Sequence, residues 1–153
     1  MKITKVVLAT AALALALPAT AHADSDRVTF SSPSGNIRCA LEIEDGTDAY
    51  VACQLDDIDY VVPAGVAHDD NGKPCPQNTG SGNDVMLKQG QPGYVRCSYA
   101  ALGGGVGPWP TLAYGDSTSL GAITCTSESS ALNCTDTGTG HFFRISRDAY
   151  DVG

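Results

Sequence analysis

Residues 37–55 read IRCALEIEDGTDAYVACQL, and this stretch decides the fold class. On both sides of a turn-forming segment centred on Gly46, apolar residues alternate with polar or small ones, which is typical of half-buried strands. When the chain reverses about Gly46, every apolar position meets another apolar position, and Cys39 lies opposite Cys53. Facing residues of an antiparallel pair are about 4.5–5.5 Å apart, within disulfide reach. The stretch therefore predicts a β-hairpin closed by a Cys39–Cys53 disulfide.

A second hairpin of the same kind is predicted near the C-terminus. Residues 121–135 read GAITCTSESSALNCT, and a reversal between Ser129 and Ser130 places Cys125 opposite Cys134. The segments GNIRC at 35–39 and GAITC at 121–125 share a local pattern. This similarity is explained either by an internal duplication or by chance resemblance between two hairpins.

The chain contains six cysteines, and the two hairpins use four of them. By elimination Cys75 pairs with Cys97, closing a segment rich in Gly, Pro and Asn. Shorter runs with strand character occur at residues 28–30, 61–62, 85–87, 94–97 and 143–145. No segment after residue 23 has a helical period. We therefore expect an all-β fold, a small antiparallel sandwich or open barrel built from disulfide-stapled hairpins.

The first 23 residues have the pattern of a signal peptide. Lys2 and Lys5 precede an apolar run at 6–17, and Ala-His-Ala at 21–23 offers a cleavage site before Asp24. The apolar run is too short for a membrane-spanning helix, which needs about 20 residues. We therefore expect a secreted protein without a lipid anchor, in which residues 24–153 form a single disulfide-rich domain.

After removal of those two lysines, seven basic residues face 17 acidic ones, a net charge of −10. A surface of this sign repels nucleic acid phosphates and anionic lipid headgroups, so we expect neither as a partner. Two acidic segments, at 56–59 and 69–72, lack the ligand spacing of a known calcium loop. We expect no metal site and no cofactor.

Several motifs together resemble a family of small exported actinobacterial proteins that are classed as a domain of unknown function. They are FSSPSGNIRC at 30–39, VAC at 51–53, LAYG at 112–115, ITCTS at 123–127, CT at 134–135 and GHFFRISR at 140–147. The resemblance covers nearly all of the chain after residue 23. It implies a setting in the cell envelope or outside the cell, but it implies no reaction and no catalytic residue.

The candidate binding residues are Trp109, held between two prolines, His141, and Arg144 close to it in sequence. We expect a monomeric, non-enzymatic domain that binds an unknown protein or glycan partner at or outside the cell envelope. We assign no catalytic residue, because the segment GDSTS at 115–119 fails the Gly-x-Ser-x-Gly pattern of a nucleophile elbow.

Two alternative functions remain. The first is a small secreted hydrolase that uses His141 with a nearby carboxylate, Asp136 or Asp148. The second is a protease inhibitor that presents the stapled loop from Pro74 to Gly82, since an inhibitor needs a rigid exposed loop.

Overall fold

The computed structural model describes residues 26–103 and 108–153, so the predicted signal peptide lies outside the described residues. The described residues form ten strands and no helix. The first sheet contains β1 (Arg27–Ser31), β2 (Ile37–Glu44), β3 (Asp48–Leu55), β4 (Gly80–Lys88) and β5 (Tyr94–Ser98). The second sheet contains β6 (Ser117–Leu120), β7 (Ile123–Ser127), β8 (Leu132–Asp136), β9 (Phe142–Ile145) and β10 (Tyr150–Val152).

Each sheet is antiparallel, with its five strands side by side in chain order. The inward faces of the two sheets bury a shared core, in which Leu41, Val51, Leu87, Ile123 and Phe143 are fully enclosed. The predicted all-β class is confirmed, and the architecture is a sandwich of two sheets that do not close into a barrel. Within the described ranges, no helix is long and apolar enough to cross a membrane.

The hairpin register is the one that the sequence predicts. Cys39 pairs with Cys53 across β2 and β3, and Cys125 pairs with Cys134 across β7 and β8. The two disulfides join Cα atoms 4.1 and 4.0 Å apart, and all four cysteines belong to the core. In both sheets the disulfide connects the second strand to the third.

The third disulfide, Cys75–Cys97, ties the long connection between β3 and β4 to β5. Beside it, the His68 N–H donates to the carbonyl of Val95 at 3.1 Å, and the Cys97 N–H donates to the carbonyl of His68 at 3.2 Å. These bonds use backbone groups along the outer edge of β5. The connection therefore covers an edge that could otherwise pair with another chain.

One strand prediction is wrong, and two strands were not predicted. Residues 61–62 form no strand, and Val61 is 88% exposed in the connection that follows β3. The run is only two residues long, and it cannot extend into a longer strand because Pro63 has no N–H to donate to a neighbouring strand. Strands β6 and β10 have no counterpart in the prediction. Both are short edge strands, and the STSL sequence of β6 has only one large apolar side chain.

The carboxylate of Asp136 joins the two sheets at one end of the sandwich. It is 1% exposed and accepts hydrogen bonds from the Gly90 N–H at 2.7 Å, the Gly138 N–H at 2.8 Å and the Thr139 hydroxyl at 3.0 Å. Gly90 lies in the β4–β5 turn of the other sheet. These donors, the Gly90 N–H foremost, lower the pKa of Asp136.

We predict that Asp136→Asn lowers the free energy of unfolding at pH 7 by about 2 kcal/mol, because hydrogen bonds to a charged acceptor are lost. A depressed folded-state pKa stabilises the fold above the unfolded-state value of about 3.9, and this contribution is lost as the pH falls through the folded-state pKa. The stability gap between parent and variant should therefore narrow on acidification, as followed by urea unfolding from pH 7 to pH 3.

Asp84→Asn is the matched control. Burial raises the pKa of Asp84, so its charge opposes folding at neutral pH and acidification relieves that penalty. The stability of the parent relative to this control should therefore rise as the pH falls. If the difference in unfolding free energy between parent and variant changes with pH in the same direction for both variants, the role assigned to Asp136 is wrong.

A second prediction concerns the core disulfide of the first sheet. Replacing Cys39 and Cys53 together by alanine should lower the free energy of unfolding by about 2–5 kcal/mol, because the unfolded chain is no longer cross-linked. Equilibrium urea unfolding of parent and variant measures the difference. A non-reducing peptide map that links Cys53 to Cys75 would contradict the pairing itself.

Candidate functional site

A cleft of about 330 Å³ opens at the end of the sandwich opposite Asp136. Three turns, the segment that follows β3 and the segment before β6 meet there. Its lining residues are Ser32, Ser34, Asn36, Ile37, Asp57, Tyr114, Ser127, Glu128, Ser129, Ser130, Ala131, Leu132, Ser146, Arg147 and Asp148. Hydroxyl and carboxylate groups dominate this list, and Ile37, Ala131 and Leu132 add apolar surface.

Asn36 fixes the wall of the cleft that contains Asp57. Its side-chain amide donates to the carbonyl of Asp57 at 3.0 Å, and its side-chain oxygen accepts the Asp57 N–H at 2.8 Å. Asn36 itself follows a turn closed by Ser32, whose hydroxyl accepts the Ile37 N–H at 3.1 Å. Asn36 therefore holds both the N–H and the carbonyl of Asp57, and Asp57 lines the cleft.

A second wall is the β9–β10 turn, and the Ser146 hydroxyl stabilises it. This hydroxyl accepts the N–H groups of Asp148 at 3.3 Å and Ala149 at 3.1 Å. The Asp59 N–H donates to the carbonyl of Arg147 at 2.8 Å and so connects this turn to the segment that follows β3. The position of Asp148 at the cleft is thus fixed by its own turn and by a hydrogen bond between the turn and the β3–β4 connection.

Ser127 forms part of the floor. It is 2% exposed, and its side chain continues the inward row of Ile123 and Cys125. Its carbonyl accepts the Gly115 N–H at 2.7 Å, and its N–H donates to the carbonyl of Asp116 at 2.9 Å. Among the described residues, no group forms a hydrogen bond with the Ser127 hydroxyl, which lines the cleft.

The cleft has an excess of negative charge. Of its four charged lining residues, Glu128 pairs with Arg144 at 3.3 Å, and Arg147 pairs with Asp59 at 2.8 Å. In the part of the chain that the structure describes, neither Asp57 nor Asp148 forms an ion pair. Two uncompensated carboxylates therefore face a small cleft that also contains apolar surface.

Of the three predicted binding residues, only Arg144 contacts the cleft lining. Its guanidinium donates to the Ser130 hydroxyl at 2.9 Å and pairs with Glu128, which anchors the β7–β8 turn at the rim. Trp109 is half-buried, and its indole ring packs against Gly103. A Cβ atom added to Gly103 would lie 2.4 Å from the ring, so only glycine fits there. His141 follows the turn after β8, at the opposite end of the sandwich.

The structure does not assemble the proposed hydrolase site. Both carboxylate oxygens of Asp136 accept hydrogen bonds from the donors described above, and in the described residues the His141 ring forms no hydrogen bond with this carboxylate. Asp148 lies at the other end of β9, in the cleft. The second histidine, His68, stacks on Tyr94 with ring centroids 4.5 Å apart.

The two acidic segments are used for turns and ion pairs. Asp56 pairs with Arg38, and Asp59 pairs with Arg147. The Asp69 carboxylate accepts backbone N–H groups of Lys73 and Asn71, both at 2.9 Å, and these bonds lower its pKa. Among the described residues, no three His, Cys, Asp or Glu side chains are grouped so that they could hold a metal ion.

Sequence reasoning missed the serines and Tyr114, although most of them lie in the quoted motifs. The segments at 30–39, 112–115, 123–127 and 140–147 supply eight of the 15 lining residues. The available signal was that serine recurs in three turns, at 31–34, 127–130 and 146. Their meeting at one end depends on how the sheets pack, which hairpin register does not specify.

Comparison with known proteins gives one match. The model of a family described as "Family of unknown function (DUF6636)" matches residues 9–151. No curated protein and no solved structure matches the chain.

Proposed function

Because the chain belongs to DUF6636, a family of unknown function, we propose its role from its own geometry: a non-catalytic binding domain whose partner occupies the cleft. Residues 1–23 serve as a signal peptide in this proposal. Residues 24–153 then act as one monomeric domain at or outside the cell envelope, where the partner is a protein or a glycan.

The three disulfides support the location. They leave no free cysteine in the described residues, and such a framework indicates an oxidising environment. Small domains outside the cytoplasm commonly depend on disulfides, because a small core alone provides limited stability.

The preformed cleft is the observation that carries the binding proposal. Its volume lies near the lower end of the range of about 300–1,000 Å³ that is usual for ligand sites. Asn36 and Ser146 fix its two walls through hydrogen bonds to backbone groups. A site whose walls are already ordered loses little conformational entropy when a ligand binds, so more of the contact energy appears as affinity.

The alternatives have less support. A hydrolase would need His141 beside a free carboxylate, and the nearest candidate, Asp136, is committed to three donors. An inhibitor would present the loop from Pro74 to Gly82, in which Pro76 to Asn78 are exposed and Cys75 is anchored to β5. Incubation with common secreted proteases tests the inhibitor directly, since an inhibitor would reduce their activity at equimolar ratio.

We predict that the labelled protein binds saturably to a cell-envelope preparation of its own organism, and that Tyr114→Ala weakens this binding about fivefold or more. Tyr114 is 51% exposed at the cleft rim, and aromatic residues in such positions commonly dominate affinity. His141→Ala, at the other end of the molecule, is the control and should bind like the parent. Loss of binding in the control alone would place the site elsewhere.

A further prediction concerns catalysis. The double variant His68→Ala, His141→Ala should keep full binding, because neither side chain lines the cleft. Far-ultraviolet circular dichroism and thermal unfolding first confirm that the variant is folded. A measurable turnover by the parent that disappears in a folded double variant would overturn the non-catalytic assignment.

A further inference from the structure

We propose that the cleft binds the side chain of a lysine or arginine in a peptide segment of a partner protein. This inference rests on the proposed function and assigns a ligand chemistry to the same cleft. Three features of the lining support this inference. They are the negative charge of Asp57 and Asp148, the Ser127 hydroxyl, and the apolar surface of Ile37, Ala131 and Leu132.

The charge selects a cation. Asp57 and Asp148 are the cleft carboxylates without an ion-pair partner among the described residues, whereas Glu128 and Arg147 are already paired. Asn36 and Ser146 hold the backbone of the two aspartates, so the chain that carries both carboxylates is ordered without a ligand. A bound cation would compensate this charge, and an anionic ligand would be repelled.

The buried serine points to a hydrogen-bonding ligand. The Ser127 hydroxyl is a polar group on a residue that is 2% exposed, and it has no partner in the described chain. This oxygen is not among the fully enclosed side-chain atoms that lack a partner in the described residues, so it is accessible from the cleft, where a donor group of a ligand can bind it. Ammonium and guanidinium groups are donors only, so they match a hydroxyl oxygen together with carboxylates.

The apolar patch favours a lysine or arginine side chain over a compact cation or an amino sugar. Ile37, Ala131 and Leu132 line the cleft together with the acidic walls. Lysine and arginine bury their methylene stems against apolar surface while the charged head stays among polar groups. Tyr114 at the rim adds an aromatic face, and cations are attracted to such faces. An amino sugar has no comparable apolar stem.

The test uses three blocked tripeptides, acetyl-Gly-Lys-Gly-amide, its arginine counterpart and its Nε-acetyl-lysine counterpart. Titrations are followed by amide chemical shifts of the ¹⁵N-labelled protein at low salt. We expect the lysine and arginine peptides to shift the backbone amide signals of residues 32, 34–37, 57, 127–132 and 146–148. The acetylated peptide should bind about tenfold more weakly, because it retains the stem but has no charge.

Variants locate the effect. The double variant Asp57→Asn, Asp148→Asn should weaken binding of the lysine peptide about five- to tenfold. Asp45→Asn, Asp48→Asn removes the same charge from the exposed β2–β3 turn, at the other end of the sandwich, and should leave binding within about twofold of the parent. Ser127→Ala, which keeps the acidic pair, should weaken binding measurably.

The outcomes separate this inference from the proposed function. Equal binding of all three peptides in the cleft would overturn the cation assignment and leave the cleft as the binding site. If glucosamine shifts the cleft amides and the peptides do not, the ligand is an amino sugar and the peptide assignment is wrong. If no probe shifts them although envelope binding still requires Tyr114, the inference fails alone.

Discussion

The register of the two central hairpins is the constraint on which the rest of the structure depends. A slip by one residue would turn every inward side chain of a strand to the outside, because side chains alternate between faces. Cys39 opposite Cys53, and Cys125 opposite Cys134, lock the register in both sheets. The order of the core and the placement of the turns at the two ends of the sandwich both follow from this alignment.

The two ends of the sandwich have different roles. At one end Asp136 reaches across to Gly90 and closes the gap between the sheets. At the other end the turns around Ser32, Ser127 and Ser146 leave a space that the core does not fill. At the cleft end, the hydrogen bond from the Asp59 N–H to the Arg147 carbonyl joins the β9–β10 turn to the β3–β4 connection. Both ends are therefore fixed before a ligand binds, which is the condition for a preformed ligand site.

The sequence alone predicts the two hairpins but does not predict the cleft, because the two depend on different kinds of contact. Pairing of neighbouring strands depends on local alternation, so Cys39–Cys53 and Cys125–Cys134 followed directly from the pattern. The cleft depends on which turns face each other after two sheets pack, and no local pattern encodes that. Trp109 and His141 were chosen for their chemistry alone, and the structure brings only Arg144 into contact with the cleft lining.

Burial also gives the three disulfides different access to reductants. Thiol–disulfide exchange requires a thiolate to reach a sulfur atom, and the four core cysteines are at most 1% exposed. Cys75 is half-buried in the connection between β3 and β4 and is the accessible member of the set. Reduction therefore begins at the loop, while the core pairs become reactive only when the sandwich opens. In a mildly reducing environment, the lifetime of the hairpin disulfides is thus governed by the rate of unfolding.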